Sequence, residues 1–263
     1  MDVHGYRSGL FIIVGGVVAS LFLVAVARKL YTKKKLLESH DLTGNLLSVV
    51  GTLYAVLLGL VVVDALARFE QAVDVVQQES NSLADIFLLA DRLPDPQRTS
   101  LRECCKTYAR QVVDEEWPLM RRGLASDAAR RTAFELSRAL DGFEPAAESH
   151  KAVFPMILEQ VRQLWDCRRE RLGTARHGIP VVEWVVLVVG GGITSLFGGL
   201  FCARSVSLQR LLTVLTAMLF GLNLYLVALF GYPFAGEVTV SSSPFATDIA
   251  IFEGRGDGAG LPE

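Results

Sequence analysis

The chain has 263 residues, of which 51% are hydrophobic, a net charge of −2 and a mean hydropathy of +0.36. With 26 basic and 28 acidic side chains there is no positive field of the kind that recruits nucleic acid. Cys104, Cys105, Cys167 and Cys202, and His4, His40, His150 and His177, never fall at metal-ligand spacing, so no metal or cofactor is expected.

The apolar excess is concentrated. Leu10–Ala27, Thr43–Val63, Trp184–Ala203 and Leu211–Gly236 carry no charged side chain and run 18, 21, 20 and 26 residues. A helix needs about 20 residues to cross a hydrocarbon core, and lipid leaves no other partner for backbone groups, so four spans are expected. The first competes with a cleavable signal peptide, since small residues close it at Ala25–Ala27. The following "RKLYTKKK" argues for retention.

Between spans two and three lies a polar segment with helical periodicity. Ala67–Ala90 continues the second span, with Phe69, Val73, Val76, Leu83 and Phe87 spaced mainly at three and four. "LPDP" at 93–96 breaks it. A helix over Gln97–Trp117 stops at Pro118, and Ser126 caps another that ends near Gly142. A last one runs from about Ala146 to Leu172 and stops near Gly173. The tail from Pro233 to Phe252 alternates and is rich in β-branched residues, which predicts an extended segment or short hairpin. The glycine-rich end, with its RGD triplet, reads as flexible. The expected fold is therefore all-α: transmembrane helices in 1–66 and 179–236, a helical extramembrane domain over 67–178, and an extended tail over 237–263.

No catalytic constellation is present. HExxH, GxSxG and Walker sequences are missing, and the glycine-rich 190–199 stretch lies inside an apolar span with no strand before it. Glu115 and Glu116 read as solvated carboxylates at a helix end. A disulfide from Cys104 or Cys105 to Cys167 competes with free thiols, the favoured reading. The chain is not expected to be an enzyme.

Two kinds of row stand out in the spans. Small residues recur every four positions, at Gly51, Ala55 and Gly59 and again at Gly191, Ser195 and Gly199. Such rows let helices approach closely in lipid, within one chain or between subunits. Beside the first runs Thr52, Val56, Leu60, Asp64, Arg68. A four-residue step drifts about 40° around a helix, so Thr52 to Leu60 share a face and Asp64 lies at its edge. One reading is a stripe facing lipid or another helix, closed by an Asp64–Arg68 pair. The other is a symmetric pore, with apolar rings leading to a ring of carboxylates. Arg168, Arg169, Arg171 and Arg176, close to the third span, are expected to contact lipid head groups.

The stretch "LLGLVVVDALARFEQA" at 57–72 resembles the second-span signature of bestrophins, in which a Leu-Gly-aromatic turn precedes an Arg-aromatic pair and an acidic residue. The matching positions are Leu58-Gly59-Leu60 and Arg68-Phe69-Glu70. Pro233, Phe234 and Gly236 are similar to the Pro-Phe-Gly stretch after the last bestrophin span. The layout as a whole, with "DEEWPLM" and "RRERLG", resembles bacterial membrane proteins with a bestrophin-like domain. The resemblance implies a homopentamer in the bacterial inner membrane, conducting small inorganic ions, with the second span lining a central pore. Its narrow neck would fall at Thr52, Val56 and Leu60. Leu60 stands where the family has an aromatic residue, and Thr52 where it has a larger aliphatic one. After Phe245 only Asp248 and Glu253 are acidic nearby, so calcium gating is not carried over.

Basic residues leave orientation open. Arg28, Lys29, Lys33, Lys34, Lys35, Arg204 and Arg210 on one side nearly balance Arg7, Arg68, Arg168, Arg169, Arg171 and Arg176 on the other. The layout puts the polar domain and both termini on one side, and the resemblance makes that side cytoplasmic. The competing function is a non-conducting membrane scaffold or sensor whose helical domain binds a protein partner.

Overall fold

A computed structural model describes residues 5–30, 40–200 and 206–254, and among these every regular element is a helix. In chain order they are α1 (Gly5–Leu30), α2 (His40–Ala90), α3 (Gln97–Gln111), a π-helical turn (Val112–Glu116) and α4 (Trp117–Met120). Then follow α5 (Asp127–Arg138), α6 (Glu148–Arg176), α7 (Val181–Leu200), α8 (Val206–Phe230) and α9 (Ser243–Gly254). Lys33, Lys34, Lys35, Arg204, Cys202, His4 and the RGD triplet lie outside the described residues.

The helices fall into two compact units. One holds the residues up to Arg68 together with Ile179–Gly231; the other holds Phe69–Gly178 and the residues from Tyr232 onward. Helix α2 has no break where the units divide, because no Gly or Pro interrupts it beyond Gly59.

In the first unit the chain is apolar nearly all round. Among the described residues three stretches are long and apolar enough to cross a bilayer: Gly44–Ala90, Val181–Gly198 and Val206–Phe230. The expected first span falls on α1, whose described apolar stretch, Ile13–Val26, is shorter. The last apolar run outlasts its helix, which stops at Phe230 three residues before Pro233. Helix α1 packs on α7 and α8. Gly221 permits the approach to α8, since a Cβ there would sit 2.9 Å from the Ile13 Cα. On α2 the inward face is Tyr54, Leu58 and Ala65, buried with Leu187 and Val227. The Tyr54 hydroxyl donates to the Leu187 carbonyl at 2.8 Å, and its ring meets Phe220 edge-on at 5.1 Å.

In the second unit the apolar positions form stripes. Ala72, Val76, Leu83, Ile86 and Ala90 are the buried face of the later part of α2; Val73 points outward. Leu101, Cys105 and Tyr108 of α3 and Val112 of the π turn face them. Ser126 caps α5, its hydroxyl accepting from the Ala129 amide at 3.2 Å. Helix α6 buries Ile157, Val161 and Leu164. It runs through Gly173 to Arg176 and ends before Gly178 and Pro180.

Two expectations about this unit are corrected. The α3 helix does not reach Trp117 as one α-helix; it widens into a π turn at Val112–Glu116. The tail is not extended throughout either. Ser243–Gly254 is helical, with Pro244 in the first turn, where a missing N–H costs nothing. Phe245, Asp248 and Phe252 form its buried stripe, and Phe252 stacks on Phe87 at 4.1 Å. Alternation at Val238–Val240 masked that three-and-four spacing.

Candidate functional site

Two places carry the polar chemistry, one in each unit.

In the first unit a groove of about 550 Å³ runs along the face of α2 opposite the buried one. Its walls include Thr52, Val56, Leu60 and Asp64, with Arg68 and Glu183 at the charged end. Val56 and Leu60 are 60% and 66% exposed, because Tyr54, Leu58 and Ala65 turn the other way. The Thr52 hydroxyl donates to the Ser48 carbonyl at 2.8 Å, so its proton is used within the helix. Arg68 Nε donates to Asp64 at 2.6 Å, and its guanidinium lies 3.9 Å from Glu183. Two carboxylates and one guanidinium leave this end with a net negative charge.

The small rows separate. Nothing lies within 4 Å of a Cβ built at Gly51 or Gly59, and Ala55 is exposed, so among the described residues this row makes no close helix contact. On α7 a Cβ at Gly191 would come 3.0 Å from the Tyr54 hydroxyl. Ser195 accepts a 3.3 Å hydrogen bond from Ser20 of α1. Those two positions are used inside the unit. Gly199 lies on α7, and its surroundings are outside the described residues.

The second place is a buried charge cluster that sequence reasoning missed. Arg171 is fully buried and grips Glu79 with two arms, Nε at 2.6 Å and Nη2 at 2.8 Å. Nη2 also reaches Glu116 at 3.1 Å. Arg168 donates to the other Glu116 oxygen at 2.6 Å, and the Tyr108 hydroxyl donates to Glu79 at 2.6 Å. Trp117 and Phe245 present their rings to Arg171 at 5.4 and 5.9 Å. Burial works against the Arg171 charge, but Glu79 outweighs it and holds the guanidinium protonated. Burial and the neighbouring Glu79 push the Tyr108 hydroxyl well above its ordinary range. Within the cluster only Arg168 Nε has no partner among the described residues. Two cations face two anions without solvent, an arrangement suited to fixing α2, the π turn and α6 together rather than to proton transfer.

This cluster corrects two expectations. Arg168 and Arg171 cannot meet lipid head groups, because they are spent on buried carboxylates. Arg169 and Arg176 are exposed, Arg169 paired with Asp166. Glu116 is not solvated, whereas its neighbour Glu115 stays exposed and accepts from the Ser126 hydroxyl at 3.1 Å. A periodic signal was present: Ile157, Val161, Leu164, Arg168 and Arg171 step by four, three, four and three. Glu79 likewise continues Ala72 and Val76 and precedes Leu83. Cys104, Cys105 and Cys167 are free thiols, with burial pushing Cys167 up to about 11. Among the described residues no group of three or more His, Cys, Asp or Glu could hold a metal.

A long helix with an apolar start and a polar end, two further apolar helices and a helical polar unit define an all-helical membrane protein with no recognisable reaction centre among the described residues. The family model of the Bestrophin-like domain matches residues 14–245, and the chain belongs to that family, whose characterised members are ion channels. Solved structures agree in fold. The bacterial bestrophin homolog from Klebsiella pneumoniae matches with a TM-score of 0.61 at 13% identity, covering 96% of this chain and 99% of that one. A single-substitution variant of it reaches 0.67 at 13% identity, covering 95% and 99%. A second variant gives 0.65 at 14%, covering 98% and 100%. No curated protein matches the sequence.

Proposed function

We propose that the chain is a homo-oligomeric ion channel of the bacterial inner membrane, with α2 lining a central pore. Membership of a channel family supplies the activity, and the pentamer follows from the resemblance to bestrophins. The observation that carries the assignment of α2 is its exposed row. Thr52, Val56 and Leu60 line an open groove that ends at Asp64, while the opposite face of the helix is buried. Copies related by a central axis would turn this row into successive apolar rings, and Asp64 into a charged one. Ala55 and Gly59 then serve close packing between subunits, and Gly191 and Ser195 packing within one, while Gly51 borders a cavity inside the unit. On this reading α1 is a fourth span, the polar unit and both termini are cytoplasmic, and Arg169 and Arg176 meet lipid phosphates.

Selectivity follows from the charged end. Asp64 and Glu183 outnumber Arg68 in each copy, so the mouth favours cations. The experiment is a planar-bilayer recording of the purified oligomer under a salt gradient. Asp64→Asn is expected to move the reversal potential toward lower cation preference. Absence of conductance under every condition, from protein that still elutes as a ring-sized oligomer, would replace the channel reading with the scaffold one.

A further inference from the structure

Away from the groove, a second cavity of about 440 Å³ lies in the first unit between α2, α7 and α8. It extends from Gln209 near the start of α8 to Phe220, about 16 Å along that helix. Its volume is in the range of small-ligand sites, and no charged side chain lines it. Five lining side chains nevertheless carry hydrogen-bonding groups: Thr194, Ser195, Gln209, Thr213 and Thr216. Thr194 and Gln209 are almost fully buried. Polar groups inside an apolar helical unit are costly, and a cluster of them around a hollow calls for an occupant.

We propose that this cavity binds a neutral glycerolipid, a diacylglycerol, with its free hydroxyl held among the threonines and its chain against Leu212 and Phe220. Hydrogen-bond polarity selects the head. Thr194 donates to the Gly190 carbonyl and Thr213 to the Gln209 carbonyl, each at 2.9 Å. Their protons are spent, so both oxygens line the cavity as acceptors that can take a ligand O–H. Ser195 accepts from Ser20, which leaves its own hydroxyl able to donate to an ester carbonyl. A phosphate head would find no cation among the described lining residues and would lose its hydration. The hollow itself is made by absent side chains, since nothing lies within 4 Å of a Cβ at Gly51 or Gly198.

The test uses the full chain in vesicles containing diacylglycerol with a diazirine on one acyl chain, irradiated and mapped by peptide mass spectrometry. Label is expected on the peptides carrying 194–198 and 209–216. It is expected to be lost in Gly198→Leu, which fills the space, and kept in Val188→Leu on the outer face of α7. Thr213→Val retains shape and removes one acceptor, and is expected to reduce labelling roughly three- to ten-fold, the weight of one hydrogen bond. This second variant stands if Gly198→Leu fails to elute as the wild-type oligomer. Equal labelling of wild type and Thr213→Val would overturn the proposal. So would equal labelling by a phosphatidylglycerol or acetylated diacylglycerol probe, or labelling of a neighbouring subunit in place of these peptides. The readout needs no current, so its outcome is independent of whether the oligomer conducts.

Discussion

In the polar unit Leu83, Ile86, Phe87, Leu101 and Ile157 lose essentially all solvent contact, whereas in the membrane unit Leu53, Leu60, Val182 and Leu219 point outward. Both units are helical, and the difference is one of solvent. Water drives apolar stripes together, so the polar unit can also bury Arg171 and Glu79 at its centre and still close. Lipid gives apolar side chains little reason to turn inward. The membrane unit is therefore held by shape and a few hydrogen bonds: Tyr54 over Gly190 and Gly191, Gly221 against α1, Ser20 on Ser195.

The comparison breaks most sharply at Arg171. Arg171→Leu leaves Glu79 and Glu116 buried with one guanidinium between them, and is expected to cost about 3–5 kcal/mol. Thermal unfolding in mild detergent should show it as a lowered melting temperature. Glu79→Leu added to it should recover part of the loss, because a hydrophobic replacement of the pair is less costly than a stranded charge. If the double variant were less stable than the single one, the cluster's role as a compensated pair would fail.

A smaller effect is expected in the membrane unit. A Cβ at Gly190 would lie 2.6 Å from the Tyr54 ring, which its hydrogen bond to Leu187 and its contact with Phe220 keep from swinging away. Gly190→Val should cost about 1–3 kcal/mol by overpacking. Gly59→Val meets nothing among the described residues and should leave the protomer's melting unchanged while lowering the mass of the oligomer by light scattering. Equal effects of the two on melting would erase the distinction between packing within and between subunits.

The smallest concerns Asp248, buried on α9 with the Ser80 hydroxyl donating to it at 2.6 Å. Burial raises its carboxyl from 3.8 to about 6, against the opposing effect of the Ser80 bond. A raised folded-state value means that its contribution is complete below about 3.8 and is lost as pH rises through about 6. Asp248→Asn, which carries no charge to bury, should therefore be more stable than wild type at pH 8 by on the order of 1 kcal/mol. The advantage should vanish at pH 3.5. A gain independent of pH would show that the carboxyl does not titrate in that window.

Much of this was legible in the sequence. Charge-free runs placed α2, α7 and α8, and Ser126 placed a helix start, because hydropathy and capping are local properties. The Thr52–Asp64 row could be read from spacing, and the structure puts those residues along one groove. Arg168 and Arg171 were misread because their nearness to a span suggested a surface. Only tertiary contact pairs Arg171 with a glutamate 92 residues away, although both sit on core positions of their stripes. The tail was misread because Val238, Thr239 and Val240 alternate just before a helix whose stripe includes a carboxylate. Hydropathy alone has no means of seeing that Asp248 is covered.

The π turn at Val112–Glu116 is a phase shifter. Pro118 offers no amide, and in a regular α-helix its ring would crowd the Asp114 carbonyl. The chain answers with a wider turn, closed by the Trp117 amide on the Val112 carbonyl, which takes up one extra residue. That single increment decides which of two adjacent, chemically identical glutamates is swallowed and which is left in water. Deleting one residue between Val112 and Glu115 would bring no new chemistry to the chain. It would act as a gear slipping by one tooth, carrying the carboxylate that Arg168 and Arg171 share away from them.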